Sequence, residues 1–461
     1  MEKSPTVQYT PCGESPPLAP PPFTLKDVRD AIPKHCWVKD PIRSVSFFFR
    51  DCLIVAALAA IAWKLDHPLV YPLYWVAQGT MFWALFVIGH DCGHGSFSDS
   101  KVLNDIVGHI SHSFILVPFH GWRISHRTHH NNHGHIHNDE SWFPMQKQKY
   151  TQLEWYQKAG RFQLPTVLFG YILYLFVNTP GKPWGSHFHP GSRLFKPSEA
   201  TDVITSTTCW LLMVALLCWF GSAFGFWKLF SIYLVPYVIG TAWLVVVTFL
   251  HHTEKNVPWF QGEEWSYLRG ALSTLDRDYG FFNSIHHNIE THVVHHIFPA
   301  IPHYHLVEAT EAVKPLLGKY YVEPEKCTNP VNFPMHLVKA LSTNMRECRY
   351  VEDEGTVFYY KSEADLDSVS LGSGVKTSAS TLGEETSSGE GDSSPSSSSR
   401  EDSEREEGAA SSSSGAEEQR DLRRGGKDKK TAQQSLAGGK KKGGAGSSAA
   451  TAKRRGSRRM A

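Results

Sequence analysis

Four long apolar stretches lie in the first 250 positions of the chain, separated by short turns or by polar segments. They cover residues 45–63, 69–89, 203–220 and 224–250. A helix that crosses the hydrocarbon core of a bilayer needs roughly 20 consecutive apolar residues. The pattern therefore predicts four membrane-spanning helices.

Two weaker apolar segments do not meet this requirement. Residues 164–177 are too few, and residues 102–119 include Asn104, Asp105, His109 and His112. Such segments suit interfacial or re-entrant helices better than spans. The predicted fold class is an all-α membrane protein with four transmembrane helices and additional interfacial helices.

Basic residues set the expected orientation of these helices. They are concentrated before and within the start of the first span, whereas the loop before the second span holds only Lys64 and Asp66, and residues 221–223 are uncharged. Cytoplasmic loops carry the excess of Lys and Arg. We therefore expect both termini in the cytosol. The basic residues near the first span are Lys34, Lys39, Arg43 and Arg50.

The same patterning divides the chain into four segments. Residues 1–44 form a Pro-rich, cytosolic N-terminal segment without an apolar signal sequence or the composition of a transit peptide. Residues 45–335 form the membrane domain, and residues 336–360 its C-terminal end. Residues 361–461 contain no aromatic residue and change from acidic to basic, which predicts a disordered tail.

Composition excludes two broad classes of protein. The 46 basic and 45 acidic residues nearly balance, so no overall positive charge points to nucleic acid. The 8 Cys residues are scattered without a C-x-x-C pair, which excludes a secreted disulfide scaffold.

The 25 histidines are concentrated in two regions, with eleven between residues 90 and 137 and seven between residues 286 and 305. Within these regions, three groups have the i, i+3 or i, i+4 spacing that places side chains on one helix face. All three follow predicted spans on the cytosolic side, so we expect them to bind metal together. The groups are His90 and His94; His126, His129 and His130; and His292, His295 and His296.

Eight spaced imidazoles exceed the four or so ligands of a single zinc site, which indicates two metal ions. Imidazole binds Zn, Cu, Fe and Ni alike, so ligand type leaves the metal open. The isolated histidines are expected to be structural. They are His35, His67, His187, His189 and His336.

These three groups resemble the histidine boxes of the membrane fatty acid desaturases, H-x(3,4)-H, H-x(2,3)-H-H and H/Q-x(2,3)-H-H. The resemblance extends from about Phe23 to Tyr321 and is strongest to the plant and algal omega-3 desaturases of the endoplasmic reticulum. It is carried by HDCGHGSFSD at 90–99, SFILVPFHGWRISHRTHH at 113–130, NDESW at 138–142, EWSYLRGAL at 264–272, DRDYG at 276–280 and IPHYHLVEAT at 301–310.

The resemblance implies a cytosolic centre of two non-haem irons, held by the eight box histidines, with O2 as co-substrate. Such enzymes have a ninth histidine ligand between the second and third boxes. His252, directly after the fourth span, fits this role best, with His251 and His287 as alternatives. Asp91 is expected to orient a ligand imidazole, because a metal-bound histidine donates its other N–H to a nearby acceptor.

Electrons are expected from outside the chain. The sequence has no Gly-rich dinucleotide fingerprint, and His189 lies in a His-Pro-Gly triplet that lacks the surroundings of a cytochrome b5 domain. The reticulum-type resemblance implies separate cytochrome b5 and NADH-cytochrome b5 reductase, and a multi-pass protein of the endoplasmic reticulum membrane. A plastid enzyme would use ferredoxin instead.

The implied activity is insertion of a cis double bond into omega-6 acyl chains of membrane glycerolipids, converting linoleoyl to alpha-linolenoyl groups. An omega-6 (delta-12) desaturase or an acyl hydroxylase of the same family is the alternative within the class. Outside the class, a membrane metal transporter with His-rich loops remains. Transporters place ionisable ligands within their spans, whereas these boxes follow the spans.

Overall fold

The computed structural model describes residues 7–177 and 185–366. These residues form fifteen α-helices and four two-residue strands. In chain order the helices are α1 Leu25–Ala31, α2 Pro41–Leu65, α3 Tyr71–His94, α4 Lys101–Phe114, α5 Phe119–Asn132, α6 Lys147–Thr151, α7 Trp155–Phe162, α8 Leu164–Phe176, α9 Ala200–Phe224, α10 Phe226–Leu229, α11 Val235–His252, α12 Tyr267–Ala271, α13 His292–Ile297, α14 His303–Leu317 and α15 Met335–Glu347.

Four helical segments are long and apolar enough to cross a membrane: Pro41–Leu65, Tyr71–His94, Pro197–Phe224 and Phe226–His252. The last joins α10 and α11 through a π-helical turn at Phe230–Leu234. The predicted all-α membrane fold with four spans is confirmed. α2 begins before its apolar stretch because Asp40 caps it, accepting hydrogen bonds from the Ile42 and Arg43 amides.

The two weaker apolar segments form shorter helices. The first of these segments forms α4, and α5 follows it after a bend of 102°. The two helices would make a fifth span only if the bent pair crossed the membrane as a single unit. α4 exposes Val102, Ile106 and Ile110 on one face while burying Val107 and Ser111 on the other. A one-sided apolar face is typical of a helix lying at the membrane interface. The second segment gives α8, which has 13 residues.

α3 and α11 form the buried centre of the membrane region, and their contact depends on glycine. A Cβ on Gly79 would lie 2.5 Å from the Ile239 side chain, and one on Gly240 would lie 3.1 Å from the Gly79 carbonyl oxygen. Small residues at such positions let two helix backbones approach closely. The contact sets the C-terminal ends of the two helices, His94 and His252, on the same side of the membrane region.

Short helices and strand pairs cover this histidine-bearing end. β1 (Thr10–Pro11) pairs in parallel with β3 (Val322–Glu323), and β2 (Trp259–Phe260) pairs antiparallel with β4 (Val357–Phe358). Segments near the two ends of the described residues thereby pair with segments that follow α14 and the fourth span. The predicted tail lies mostly outside the described residues, although Lys361 still pairs with Tyr350.

The glycine contact between α3 and α11 generates a prediction. Replacement of Gly79 by Leu should lower the melting temperature and the yield of monodisperse protein, because overpacking a tight contact costs about 1–3 kcal/mol. Size-exclusion chromatography and thermal melting in detergent measure both quantities. Gly160→Ala is the matched control, since a Cβ there meets no atom within 4 Å. A Gly79→Leu protein as stable as the parent would contradict the packing described.

Candidate metal centre

The three histidine groups come from different parts of the chain and meet at one place. The first lies in the last two turns of α3, which ends where Gly95 adopts a left-handed backbone with φ of 70°. The second lies on α5, after the bend, and the third occupies α13. The end of α11 adds His251 and His252 to the same region.

Five of these residues form a first cluster, in which each histidine offers one ring nitrogen within 4.8 Å of all the others. The Nε2 atoms of His126 and His130 are 3.1 Å apart. Two nitrogens bound at about 2.1 Å to one ion lie roughly 3 Å from each other, so this spacing suits shared coordination. The first cluster consists of His90, His94, His126, His130 and His295.

Four further histidines form a second cluster beside the first. His129, His252 and His296 meet the same 4.8 Å criterion. The His252 Nε2 lies 3.3 Å from that of His129 and 3.2 Å from that of His292. The rings of His130 and His296 stack with centroids 4.0 Å apart, which brings the two clusters into contact. All nine sequence-predicted residues therefore lie in two adjacent clusters.

The structure distinguishes His252 from the two alternatives. His251 uses both ring nitrogens elsewhere, with Nδ1 on the Leu275 carbonyl oxygen and Nε2 3.2 Å from the Tyr279 hydroxyl. His287 directs Nε2 to the carboxylate of Asp51 at 2.7 Å. Only His252 of the three belongs to a histidine cluster in the described part of the chain.

Asp139 orients the second cluster, a role that the sequence reasoning missed. Its two carboxylate oxygens accept from His129 Nδ1 at 2.7 Å and His133 Nδ1 at 2.9 Å. Burial alone would raise the pKa of Asp139, but these two imidazoles outweigh it and lower the pKa. A carboxylate on Nδ1 fixes the tautomer and leaves Nε2 of His129 directed at the cluster.

His133 also adjoins the cluster without having been predicted. Its ring centroid lies 4.5 Å from that of His252 and 4.9 Å from that of His296. The i, i+4 spacing from His129 was the available indication, together with Asp139 in the NDESW segment. Asp91, which was predicted to orient a ligand, places a carboxylate oxygen 3.2 Å from His90 Nδ1.

The third histidine group is electrostatically suited to a cation. Burial, followed by the neighbouring imidazoles, lowers the pKa values of His292, His295 and His296 well below the usual range. The neutral imidazole so favoured is the form that binds metal. Among the described residues, His295 Nε2 and both nitrogens of His296 have no hydrogen-bond partner. Buried nitrogens without partners are costly, and a bound metal ion would satisfy them.

The histidines expected to be structural lie outside the two clusters. His187 is buried and sets Nδ1 3.2 Å from the Leu175 carbonyl oxygen. His189 accepts from the Gly191 amide within its own loop. His67 accepts from the Leu69 amide in the turn between α2 and α3. His336 lies 3.8 Å from the Cys327 sulfur.

A narrow apolar pocket lies between α3, α8 and α11, close to the first cluster. One of its lining rings, Phe86, lies edge-on to Trp122 with centroids 5.0 Å apart. Trp122 in turn stacks on His126 at 4.3 Å. One aromatic ring thus separates the pocket from the histidines. The lining residues are Phe82, Phe86, Ile115, Val117, Tyr171, Tyr237, Gly240, Thr241 and Leu244.

Comparison with known proteins agrees with this geometry. The fatty acid desaturase family model matches residues 66–325, and a model for a domain of unknown function matches residues 8–60. An endoplasmic-reticulum omega-3 fatty acid desaturase of Nicotiana tabacum is 57% identical over 76% of this chain and 92% of its own length. A chloroplastic sn-2 acyl-lipid omega-3 desaturase (ferredoxin) of Arabidopsis thaliana is 58% identical over 76% of this chain and 78% of its own.

The family model covers more than half of the chain, and the matched residues include all three histidine groups and His252. The two relatives are also 57% and 58% identical to this chain over 76% of its length, and the matched region covers more than two thirds of each relative. The resemblance seen in the sequence is therefore confirmed, and the chain belongs to the fatty acid desaturase family.

Proposed function

We propose that this protein is an omega-3 acyl-lipid desaturase that converts linoleoyl to alpha-linolenoyl groups on membrane glycerolipids. The observation that carries the proposal is the set of nine imidazoles beside an apolar pocket. It occurs in a chain 56–58% identical to several proteins named omega-3 desaturases. The geometry supports the oxidative chemistry, and the similarity supports the position of the new double bond.

We infer that the two histidine clusters hold two non-haem irons. The five-histidine cluster would hold one iron, and His129, His252, His292 and His296 the other, with Asp139 orienting His129. When bound and reduced, the irons supply the O2 chemistry that removes two hydrogens from unactivated methylene groups. Side-chain acids and bases alone cannot break such C–H bonds, which is why the chemistry belongs to a cofactor.

The chain's own contribution is to position the acyl chain and exclude water. The lining of the pocket is aromatic and aliphatic apart from Thr241 and the tyrosine hydroxyls. Trp122 separates the pocket from His90 and His126, so it is placed to align a chain with the centre. The depth to which the methyl end enters the pocket would set which bond meets the irons.

The proposed compartment is the endoplasmic reticulum, with cytochrome b5 and its NADH-dependent reductase as electron donors. The similarity to the tobacco endoplasmic-reticulum enzyme supports this proposal. The chloroplastic relatives, some of whose names specify ferredoxin, are equally similar. The donor is therefore tested separately below.

We further propose that both termini and the metal centre face the cytosol. Lys34, Lys39 and Arg43 lie directly before α2 or in its first turn, which favours this side under the positive-inside rule. Among the described residues, the opposite end of the membrane region carries the short turns between α2 and α3 and between α9 and α10, where Lys228 pairs with Asp66 at 2.6 Å.

The ligand assignment predicts that His129→Ala abolishes desaturation. The substitution removes a nitrogen from the second cluster and leaves Asp139 with one imidazole fewer. Product per molecule in yeast membranes, normalised to protein abundance by immunoblot, measures the effect. His189→Ala is the control, because that exposed side chain accepts from the Gly191 amide in its own loop and belongs to neither cluster. Full activity in His129→Ala would exclude the assignment.

The proposed regiochemistry predicts the product in yeast. Cells that express the protein and are fed linoleic acid should accumulate alpha-linolenic acid, whereas oleic acid alone should remain unchanged. Gas chromatography of total lipids measures both conversions. Formation of linoleic acid from oleic acid without omega-3 product would identify an omega-6 desaturase, and a hydroxylated product would identify a hydroxylase.

The same cells test the donor. Deletion of the yeast cytochrome b5 gene should greatly reduce alpha-linolenic acid, and re-expression of cytochrome b5 should restore it. Restoration by a plastid ferredoxin with its reductase, but not by cytochrome b5, would refute the microsomal proposal. Conversion of linoleic to alpha-linolenic acid that is unaffected by loss of cytochrome b5 would also refute the microsomal proposal.

The orientation predicts the pattern of N-glycosylation. An acceptor tag inserted between His67 and Leu69, in the exposed turn between α2 and α3, should be modified in microsomes. A tag at Glu263, exposed on the histidine-bearing side, should stay unmodified. Gel mobility with and without endoglycosidase measures the modification. The reverse pattern would contradict the orientation.

A further inference from the structure

A second group of metal-ligating side chains lies where the N-terminal segment packs on α14. The 3-10 turn Lys34–Trp37 precedes α2, and Trp37 lies edge-on to Phe298 with centroids 5.1 Å apart. The Tyr304 hydroxyl accepts from the Asp40 amide at 2.8 Å, and the Arg43 guanidinium lies 4.2 Å from the Tyr304 ring centroid. These contacts hold the turn against the first residues of α14.

Four potential ligands converge at this junction, and none belongs to the nine-histidine centre. His35 and Cys36 are adjacent on the 3-10 turn, while His305 and Glu308 are spaced i, i+3 on α14. One ligand atom of each residue lies within 4.8 Å of the others. His35 Nε2 and a Glu308 carboxylate oxygen are 2.8 Å apart, and the His35 and His305 rings are 5.6 Å apart.

The chemistry of the four ligands favours one kind of ion. Cysteine sulfur, imidazole nitrogen and carboxylate oxygen are all zinc ligands, and here they supply the four ligands of a tetrahedral zinc site. Thiolate and imidazole discriminate against magnesium and calcium, which prefer oxygen ligands. The set also differs from the nine imidazoles of the catalytic region, so the two places are suited to different metals.

The burial pattern suits a metal site better than a surface ion pair. Cys36 is completely buried, whereas the side chains of His35 and Glu308 are 58% and 53% exposed. An exposed ion pair contributes only about 0–1 kcal/mol to the free energy of folding. The pair between His35 and Glu308 does not by itself explain why the Cys36 sulfur is placed beside it. The sulfur thus closes the inner side of the group, and the exposed ligands leave a path for an ion from solvent.

We propose that His35, Cys36, His305 and Glu308 form a zinc site that clips the N-terminal segment to α14. Zinc binding would displace the thiol proton of Cys36 to solvent, with no change in oxidation state. Because only five residues separate α13 from α14, the clip would also restrain the helix that carries the third histidine group. The role is structural, and it does not depend on the reaction catalysed.

Cobalt(II) provides a probe that separates this site from the iron centre. A thiolate ligand gives an intense near-ultraviolet charge-transfer band with cobalt, which a histidine-only centre does not give. The purified full-length protein, stripped of metal and loaded with cobalt(II), should show this band. Cys36→Ser should remove the band while the weaker visible bands of cobalt in the nine-histidine centre remain. Cys12→Ser, in the same N-terminal segment, should leave it unchanged.

A second variant keeps the test decisive if Cys36→Ser does not fold. His35→Ala changes a side chain that is more than half exposed, so folding should be retained. It should raise the dissociation constant for cobalt by at least about tenfold, or about 1.4 kcal/mol. A titration monitored by the charge-transfer band measures this constant. Absence of the band in the parent, its persistence in Cys36→Ser, or unchanged affinity in His35→Ala would each overturn the proposal.

Discussion

The structure depends on gathering nine imidazoles, seven of them buried, at one end of a helical membrane domain. Histidine is rarely sequestered in such numbers, because each buried ring nitrogen needs a partner. The requirement explains several features together. Gly79 and Gly240 bring α3 and α11 into contact, so that His90, His94 and His252 emerge side by side. The bend after α4 then turns α5 across these ends and adds the second histidine group.

The features set by local spacing could be predicted from the sequence, and those set by long-range packing could not. The four spans follow from continuous apolar stretches, and the eight box histidines follow from i, i+3 and i, i+4 spacing. Asp139 escaped prediction because its importance arises only when the loop after α5 folds back onto His129 and His133. The grouping of His35 with His305 and Glu308 could not be predicted for the same reason, because these residues lie far from it in the sequence.

The apolar pocket and the histidine clusters are separate but adjacent parts of the structure. The pocket between α3, α8 and α11 is lined by aromatic and aliphatic side chains, which suits a lipid chain. Trp122 lies between that pocket and the histidines, touching Phe86 on one side and His126 on the other. In the proposed function, the depth to which an acyl chain enters this pocket would set the position of the new double bond. For that reason, the proposed position of the double bond rests on the similarity to named omega-3 desaturases. The proposed oxidative reaction rests on the histidine geometry.

The central claim is that two separate irons are held by unequal sets of five and four histidines. Mössbauer spectroscopy of the purified full-length protein, reconstituted anaerobically with iron-57 in the ferrous state, tests this most directly. The account predicts two quadrupole doublets of equal area, at two irons per chain. A single site holding one iron per chain, or iron bound in no defined stoichiometry, would contradict it.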